Sequence, residues 1–257
     1  MASQITYDMT GKTVLVIGGT SGIGRACALA FAEAGANLVV GGLGLDDTAA
    51  FERELTAAGA ARAIVAIVDV REEAAVAGVV KTAVDTFGRL DIALNNAGIE
   101  GPFEPLSAAT SETFDRIIGV NLKGVFFGLK HEIRQMQAQG GGVILNTASN
   151  AGIKSISHIG IYSASKHGII GLTKAAALET AEFGIRVNAM APGPVDTGLL
   201  TRMVGGHVPL DAIAAKVPQG RIAAPAEIAA LAIWLCSDAA SYITGETVMI
   251  DGGATIA

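Results

Sequence analysis

Short, continuously apolar runs alternate along this chain with longer alanine-rich segments, and that alternation restricts the fold more than any other feature. The strand candidates are Thr13 to Ile17, Asn37 to Val40, Ala63 to Val68, Leu90 to Leu94, Gly142 to Asn146, Arg186 to Met190 and Thr247 to Ile250. The helical candidates between them are Gly22 to Ala34, Asp46 to Ala58, Glu72 to Phe87, Ser111 to Gln139, Ile161 to Phe183 and Pro225 to Ser237. A strand apolar at every position has both faces buried, as in a parallel sheet covered by helices. The pattern predicts an α/β fold with a doubly wound, seven-stranded parallel sheet, as one domain over residues 1–257. At 51% hydrophobic, the chain has enough apolar residues for a core on both faces. One interval, at about 198–219, lacks a clean pattern. Its Gly205, Gly206, Pro209 and Pro218 predict a mobile loop with short helices.

The first strand runs into Gly18-Gly19-Thr20-Ser21-Gly22-Ile23-Gly24, and a helix follows. Glycines at 18, 22 and 24 allow a tight turn, close approach of backbone to a pyrophosphate and close helix–strand packing. The helix N-terminus adds N–H groups and partial positive charge. This strand–turn–helix predicts a dinucleotide site in a Rossmann-type sheet. In such sheets an acid about 20 residues past the glycines binds the adenosine ribose, whereas a nearby cation accepts a 2′-phosphate. Counting from Gly22 lands on Gly42, read as open space with neither group. Asp46 and Asp47 lie further on, where helix capping is their expected work. Ser21 and Leu43 supply no cation, and Arg25 is the only base close in sequence. The expectation is NAD, with NADP possible.

A second constellation is Tyr162-Ser163-Ala164-Ser165-Lys166. On a helix, positions i and i+4 place phenol and ammonium on one face, where the cation can stabilise a phenolate. An unperturbed phenol, with a pKa of about 10, is almost wholly protonated at neutral pH, so a working tyrosine base needs that help.

The glycine turn, written G-x-x-x-G-x-G, together with Asn95-Asn96-Ala97-Gly98 and the Tyr-x-x-x-Lys pair, resembles the short-chain dehydrogenase/reductase family over nearly the whole chain. Asn121, Ser149, Tyr162 and Lys166 fall where that family places its catalytic tetrad. The resemblance implies that Tyr162 takes the proton of an alcohol while the carbinol hydride passes to a nicotinamide. Ser149 would orient the substrate oxygen, Lys166 would lower the tyrosine pKa and bond the nicotinamide ribose, and Asn121 would hold a water on the proton path. Cofactor contacts are implied for Gly18, Thr20, Ser21, Gly22, Ile23, Gly24 and Gly42, then for Asp69, Val70, Asn96, Ala97 and Gly98. Tyr162, Lys166 and the segment Pro192, Gly193, Val195 and Thr197 complete that set. Asp69 takes the adenine-contacting position. Ile17 stands where many members have threonine, which removes a loop-steadying hydrogen bond. Substrate contacts are implied for Ser149, Asn150, Ile159, Tyr162, Pro194 and Leu199, and the wider pocket, from Ile99 to Phe103, from Asn150 to Ile159, at Pro194 and Val195 and along the loop bearing Leu199, Leu200 and Met203, is mainly apolar. Glu100, Asn150 and His158 are candidates for a polar substrate. A homotetramer is likewise implied by resemblance.

The net charge of -6 and a pI near 5.2, without a basic stripe, argue against nucleic acid or an anionic membrane as partner. A mean hydropathy of +0.49 is carried largely by alanine, and charge or Gly/Asn breaks every apolar run before membrane-spanning length. The start, Met1 to Asp8, has no signal-peptide pattern, which predicts a cytoplasmic protein. Cys27 and Cys236 read as small core residues, and the scattered histidines suggest no metal site. A small-molecule secondary alcohol or ketone is the expected substrate. An NADPH-dependent 3-oxoacyl carrier-protein reductase is the alternative, and a non-catalytic dinucleotide-binding sensor a remote one.

Overall fold

The structure, a computed structural model, describes residues 7–205 and 208–257. The opening Met1 to Thr6 and Gly206, both used in the sequence reading, lie outside the described residues. Strands β1 (Thr13–Ile17), β2 (Asn37–Gly42), β3 (Arg62–Ile67), β4 (Ile92–Asn95), β5 (Gly142–Thr147), β6 (Ile185–Pro192) and β7 (Thr247–Ile250) form one sheet in the order β3-β2-β1-β4-β5-β6-β7. Every pairing is parallel.

Strand β1 shows why its sequence is apolar throughout. Val14 and Val16 enter one core with Phe31, Leu55 and Ile228, whereas Leu15 and Ile17 enter the other with Val80, Val125 and Ile169. Successive side chains point to opposite faces, so each face needs its own apolar set. Helices α1 (Gly22–Glu33), α2 (Thr48–Ala58) and α9 (Pro225–Cys236) cover the first face. The second lies under α3 (Glu73–Phe87), α5 (Gly124–Gln139) and α6 (Gly160–Thr180). Cys27 and Cys236 are buried free thiols in the first core. The strand order reverses direction between β1 and β4, and a cleft opens past their carboxyl ends.

Two departures from the sequence reading bear on the site. Leu90 precedes β4, because both its main-chain groups bond the Gln139 side chain and not a neighbouring strand. The segment expected as one helix from Ser111 to Gln139 is α4 (Ser111–Ile118), a π-turn over Gly119–Lys123, and α5. A π-turn is rare and occurs mostly as a single-turn bulge inside an α-helix, frequently at a functional site, and here it carries Asn121. In the interval at 198–219 lie the short helices α7 (Gly198–Val204) and α8 (Leu210–Ala214). Among the described residues, no helix is long and apolar enough to cross a membrane.

Candidate active site

The glycine turn folds back on the end of β4. A Cβ on Gly18 would overlap the main chain of Ala97, and one on Gly24 would overlap Gly18 O and the Asn96 amide. Gly22 has φ +53, a left-handed conformation that favours glycine. Asn96 donates from Nδ2 to Gly18 O at 2.9 Å, so the turn is steadied from β4 although Ile17, buried in the core, offers no hydroxyl. Ser21, at the N-cap of α1, makes no side-chain capping bond, and the first N–H groups of α1 stay free of it. Left-handed glycines, a close backbone cradle and uncapped helix donors suit a dinucleotide pyrophosphate.

A cleft of about 1000 Å³ runs from this turn to α7. Gly18, Thr20, Ser21, Gly22, Ile23, Gly42, Asp69 and Val70 line one end, and Asn96, Ala97 and Gly98 form part of its wall. Gly24 packs behind the turn without lining the cleft. Pro192, Gly193, Val195 and Thr197 line it beyond β6, as do Ser149, Asn150, Ile159, Tyr162, Lys166, Pro194 and Leu199. Asn121 does not line it.

Tyr162 and Lys166 stand one turn apart near the start of α6, and both are buried. Lys166 Nζ donates to Thr147 O at 2.9 Å. Ser149 caps the short turn Asn150–Gly152, its Oγ accepting from Ala151 N at 3.1 Å. That turn presses on α6: a Cβ on Gly152 would lie 2.8 Å from Lys166 main-chain atoms. Burial pushes the Tyr162 phenol up to about 12. The Ser149 hydroxyl opposes that rise, and the Glu100 carboxylate adds to it. Burial also pulls the Lys166 ammonium down to about 8. The expected lowering of the phenol by Lys166 is thus not a property of the protein alone, because desolvation of both groups dominates.

Asn121 is fully buried in the π-turn. Its Oδ1 accepts from Ile99 N at 2.8 Å, and its Nδ2 donates to Ile99 O at 3.0 Å and Ser165 Oγ at 3.1 Å. Both amide hydrogens are engaged, so a water at this side chain has only the second lone pair of Oδ1 to bond. The side chain fixes the loop after β4.

Several polar expectations are corrected. Gly42 is not open space, since a Cβ there would lie 2.8 Å from Thr20 Cγ2, and Thr20 Oγ1 donates to Leu43 O at 2.8 Å. Arg25 is not a free cation: it pairs with Glu54 and lies over the Phe51 ring at 5.1 Å. The base the sequence reading missed is Arg71, which lines the cleft and grips Asp69 through Nε and Nη2. That grip holds the Asp69 carboxyl below the usual carboxylate range. Asp47 caps α2 as read, accepting from Ala50 N at 2.8 Å. Glu100 faces Arg202 of α7, at 2.6 and 3.2 Å, and not the cleft. His158 lines the cleft as read; it is exposed, adopts φ +70 and stacks on Phe103 with ring centres 4.8 Å apart. Arg202 lies 102 residues from its partner, and no local pattern announces the pair.

Residues 17–255 match the family model described as enoyl-(acyl carrier protein) reductase. The chain is 39% identical over 264 residues to levodione reductase of Leifsonia aquatica, covering 99% of this chain and 98% of that protein. It is 39% identical over 260 residues to cyclohexanol dehydrogenase of Acinetobacter sp. (strain SE19), covering 99% of each. A crystal structure of a short-chain type dehydrogenase/reductase from Mycobacterium marinum is similar at TM-score 0.90 and 36% identity, over 97% of this chain and 98% of that one.

Proposed function

We propose that this chain, which belongs to the short-chain dehydrogenase/reductase family of alcohol dehydrogenases and ketone reductases, interconverts a small or medium alicyclic secondary alcohol and its ketone, with NAD(H) as preferred cofactor. The observation that carries this reading is the juxtaposition of Tyr162, Ser149 and Lys166 on the wall of the cleft that begins at the glycine turn. The ring preference draws on the likeness to a cyclohexanol dehydrogenase and on apolar lining from Phe103, Ile159, Leu199, Leu200 and Met203.

In alcohol oxidation Tyr162, as phenolate, takes the hydroxyl proton while the carbinol C–H bond breaks with its electron pair leaving as hydride. The nicotinamide, when bound, supplies the hydride acceptor and a positive charge that favours the phenolate. Ser149 hydrogen-bonds the reacting oxygen and orients it. Lys166 keeps a positive charge one turn from the phenol. Asn121 holds the loop after β4 through both main-chain groups of Ile99, and a Cβ on Gly98 would make ordinary contact, at 3.5 Å, with Asn121 Oδ1 and Lys166 Nζ. Ketone reduction runs the same path in reverse. Asn96 would brace the pyrophosphate turn, and Asp69 and Val70 would flank the adenine.

NAD(H) is favoured because, among the described residues, the two bases near Gly42 in the sequence or on the cleft wall are both paired: Arg25 is tied to Glu54, and Arg71 to Asp69. A panel of cyclic and open-chain alcohols and ketones with both cofactors, read at nicotinamide absorbance, tests the proposal. Turnover of cyclohexanol-type alcohols well above open-chain ones is expected. Activity confined to acyl carrier-protein thioesters would replace this reading.

A further inference from the structure

The first asparagine of Asn95-Asn96-Ala97-Gly98 faces away from the cleft, into the layer between the sheet and α5. Asn95 is 2% exposed and Glu132 of α5 is fully buried. Asn95 Nδ2 donates to Glu132 Oε2 at 2.9 Å and to Asn146 Oδ1 at 3.1 Å. Asn146 Nδ2 donates to Thr173 Oγ1 at 2.9 Å, and Thr173 Oγ1 donates to Ile169 O at 2.8 Å. A main-chain carbonyl only accepts, so the direction of each hydrogen is fixed backwards from Ile169. Thr173 gives its proton to Ile169, and Asn146 gives one to Thr173. Asn146 Oδ1 and Glu132 then receive the two Asn95 amide hydrogens. Asn95 Oδ1 is left with lone pairs alone.

Asn95 Oδ1 and Glu132 Oε1 are both buried without a hydrogen-bond partner among the described residues. Two acceptors of this kind in a desolvated layer are strongly unfavourable. A protonated carboxyl and a primary amide, however, each offer one donor and one acceptor on neighbouring atoms. With Glu132 protonated, the two unpaired oxygens would supply the missing half of such a ring. Gly128, one turn before Glu132 on α5, makes the room for it, since a Cβ there would overlap Asn95 Oδ1.

We propose that Glu132 is held as the neutral acid, Oε1–H donating to Asn95 Oδ1 while Asn95 Nδ2–H donates to Oε2, and that this two-bond ring positions the end of β4 on which the cofactor wall is built. The next residue, Asn96, donates to Gly18 O and accepts from Thr147 Oγ1 at 3.1 Å, so the ring, the glycine turn and the carrier of the Lys166 acceptor are mechanically continuous. The link to the cofactor rests on the function proposed above, whereas the ring does not.

Burial raises the Glu132 carboxyl to about 8 from an ordinary 4.5, opposed by the Asn95 bond. Charged groups on the surrounding elements are engaged elsewhere. Lys130 and His131 of α5 bond Glu73 of α3, and Lys81 and Asp85 of α3 pair with each other. Lys166 of α6 bonds Thr147 O, and His167 of α6 bonds Ser163 O. Asp91, before β4, holds Thr13 N and Arg89, and Arg186 of β6 bonds the carbonyls of Leu235, Ser237 and Ile243. Arg134, Lys174 and Glu179 are exposed.

The test uses the cofactor-free protein first. At about pH 6.5 ordinary carboxyls are ionised, so the infrared band of a protonated carboxylic acid is expected in the wild type and absent from Glu132→Gln. Folded Glu132 keeps its proton up to about 8, whereas the unfolded chain releases it near 4.5. Wild-type stability from this group therefore falls as pH rises between those values and is level above them. The stability of Glu132→Gln relative to wild type is expected to rise across that window and then flatten. Glu132→Gln, whose amide can form the same ring, is expected to keep cofactor affinity within about twofold, and Gly128→Ala to weaken it by about tenfold while losing the acid band. Absence of the band, or a stability difference independent of pH, overturns the ring. A band present with Gly128→Ala binding cofactor as wild type does overturns its positioning role.

Discussion

The Lys166 ammonium stands 5.6 Å from the centre of the Tyr162 ring and gives its hydrogen bond to the main-chain oxygen of Thr147. Both side chains are buried, and burial drives each toward its neutral form. The pair is therefore a latent acid/base whose ionisation depends on charge brought into the cleft.

If phenol and ammonium act as a unit, removing either removes most of the catalysis. Tyr162→Phe and Lys166→Ala are each expected to lower kcat by about 10³-fold or more, and the double variant little further. Steady-state kinetics on folded protein decides this, and near-wild-type turnover in Tyr162→Phe would falsify the mechanism.

The phenol of the cofactor-free protein is expected to ionise at about 12. The difference in phenolate absorbance between wild type and Tyr162→Phe should therefore be small at about pH 10, where an ordinary tyrosine is half ionised, and grow above it. Under turnover, oxidation needs the ionised form and rises with pH, while reduction needs the protonated form and falls. Identical pH profiles in the two directions would count against a single tyrosine acid/base.

Lys166 has a folded value of about 8 against an ordinary 10.5. Between those values the unfolded chain binds more protons, so stability from this group rises with pH through the window, and the full penalty applies below it. Lys166→Met is expected to be more stable at neutral pH, on the order of 1–2 kcal/mol after the lost Thr147 bond is counted. Denaturant melts from pH 7 to 11 should show that gap closing, and a constant gap would mean that the lysine carries no desolvation penalty.

Gly42 is a poor place to engineer cofactor choice. A carboxylate there must displace Thr20, whose hydroxyl holds Leu43 O, so Gly42→Asp is expected to weaken both cofactors together. Leu43 is 53% exposed on the cleft wall, and Leu43→Arg is expected to raise kcat/KM for NADP(H) relative to NAD(H) by about tenfold, roughly 1.4 kcal/mol. A wild-type preference for NADP(H) above about tenfold would instead direct attention to Arg71.

The Glu100–Arg202 pair joins the loop after β4 to α7 across the cleft mouth. Arg202→Ala is expected to raise substrate KM by about three- to tenfold, with a smaller change in kcat, because the exposed arginine makes the pair worth only about 1 kcal/mol. The exchange Glu100→Arg with Arg202→Glu should recover part of the loss. Equal KM values in the wild type and both variants would show that the pair does not shape the substrate end.

The glycine turn, the Tyr-x-x-x-Lys helix and most strand limits were legible because each depends on neighbours within one turn or one strand. Asn121 was legible as a site residue but not as the centre of a π-turn, since nothing in Gly119-Val120-Asn121-Leu122-Lys123 distinguishes a wide turn from an ordinary one. Gly42 was misread as open, because Thr20 lies 22 residues before it and only the β1–β2 pairing brings them together.

The sequence by itself determined the sheet, its two cores and the order in which chemistry-bearing residues arrive at the cleft, because apolar periodicity and glycine conformational freedom act over a few residues. The tertiary structure alone decided which charges are neutralised: Arg71 by Asp69, Arg202 by Glu100, and Arg25 by Glu54. It also decided that Tyr162, Lys166 and Glu132 are each driven toward the uncharged form. Desolvation depends on everything packed around a group, and in a doubly wound sheet those neighbours come from strands and helices far apart in the chain.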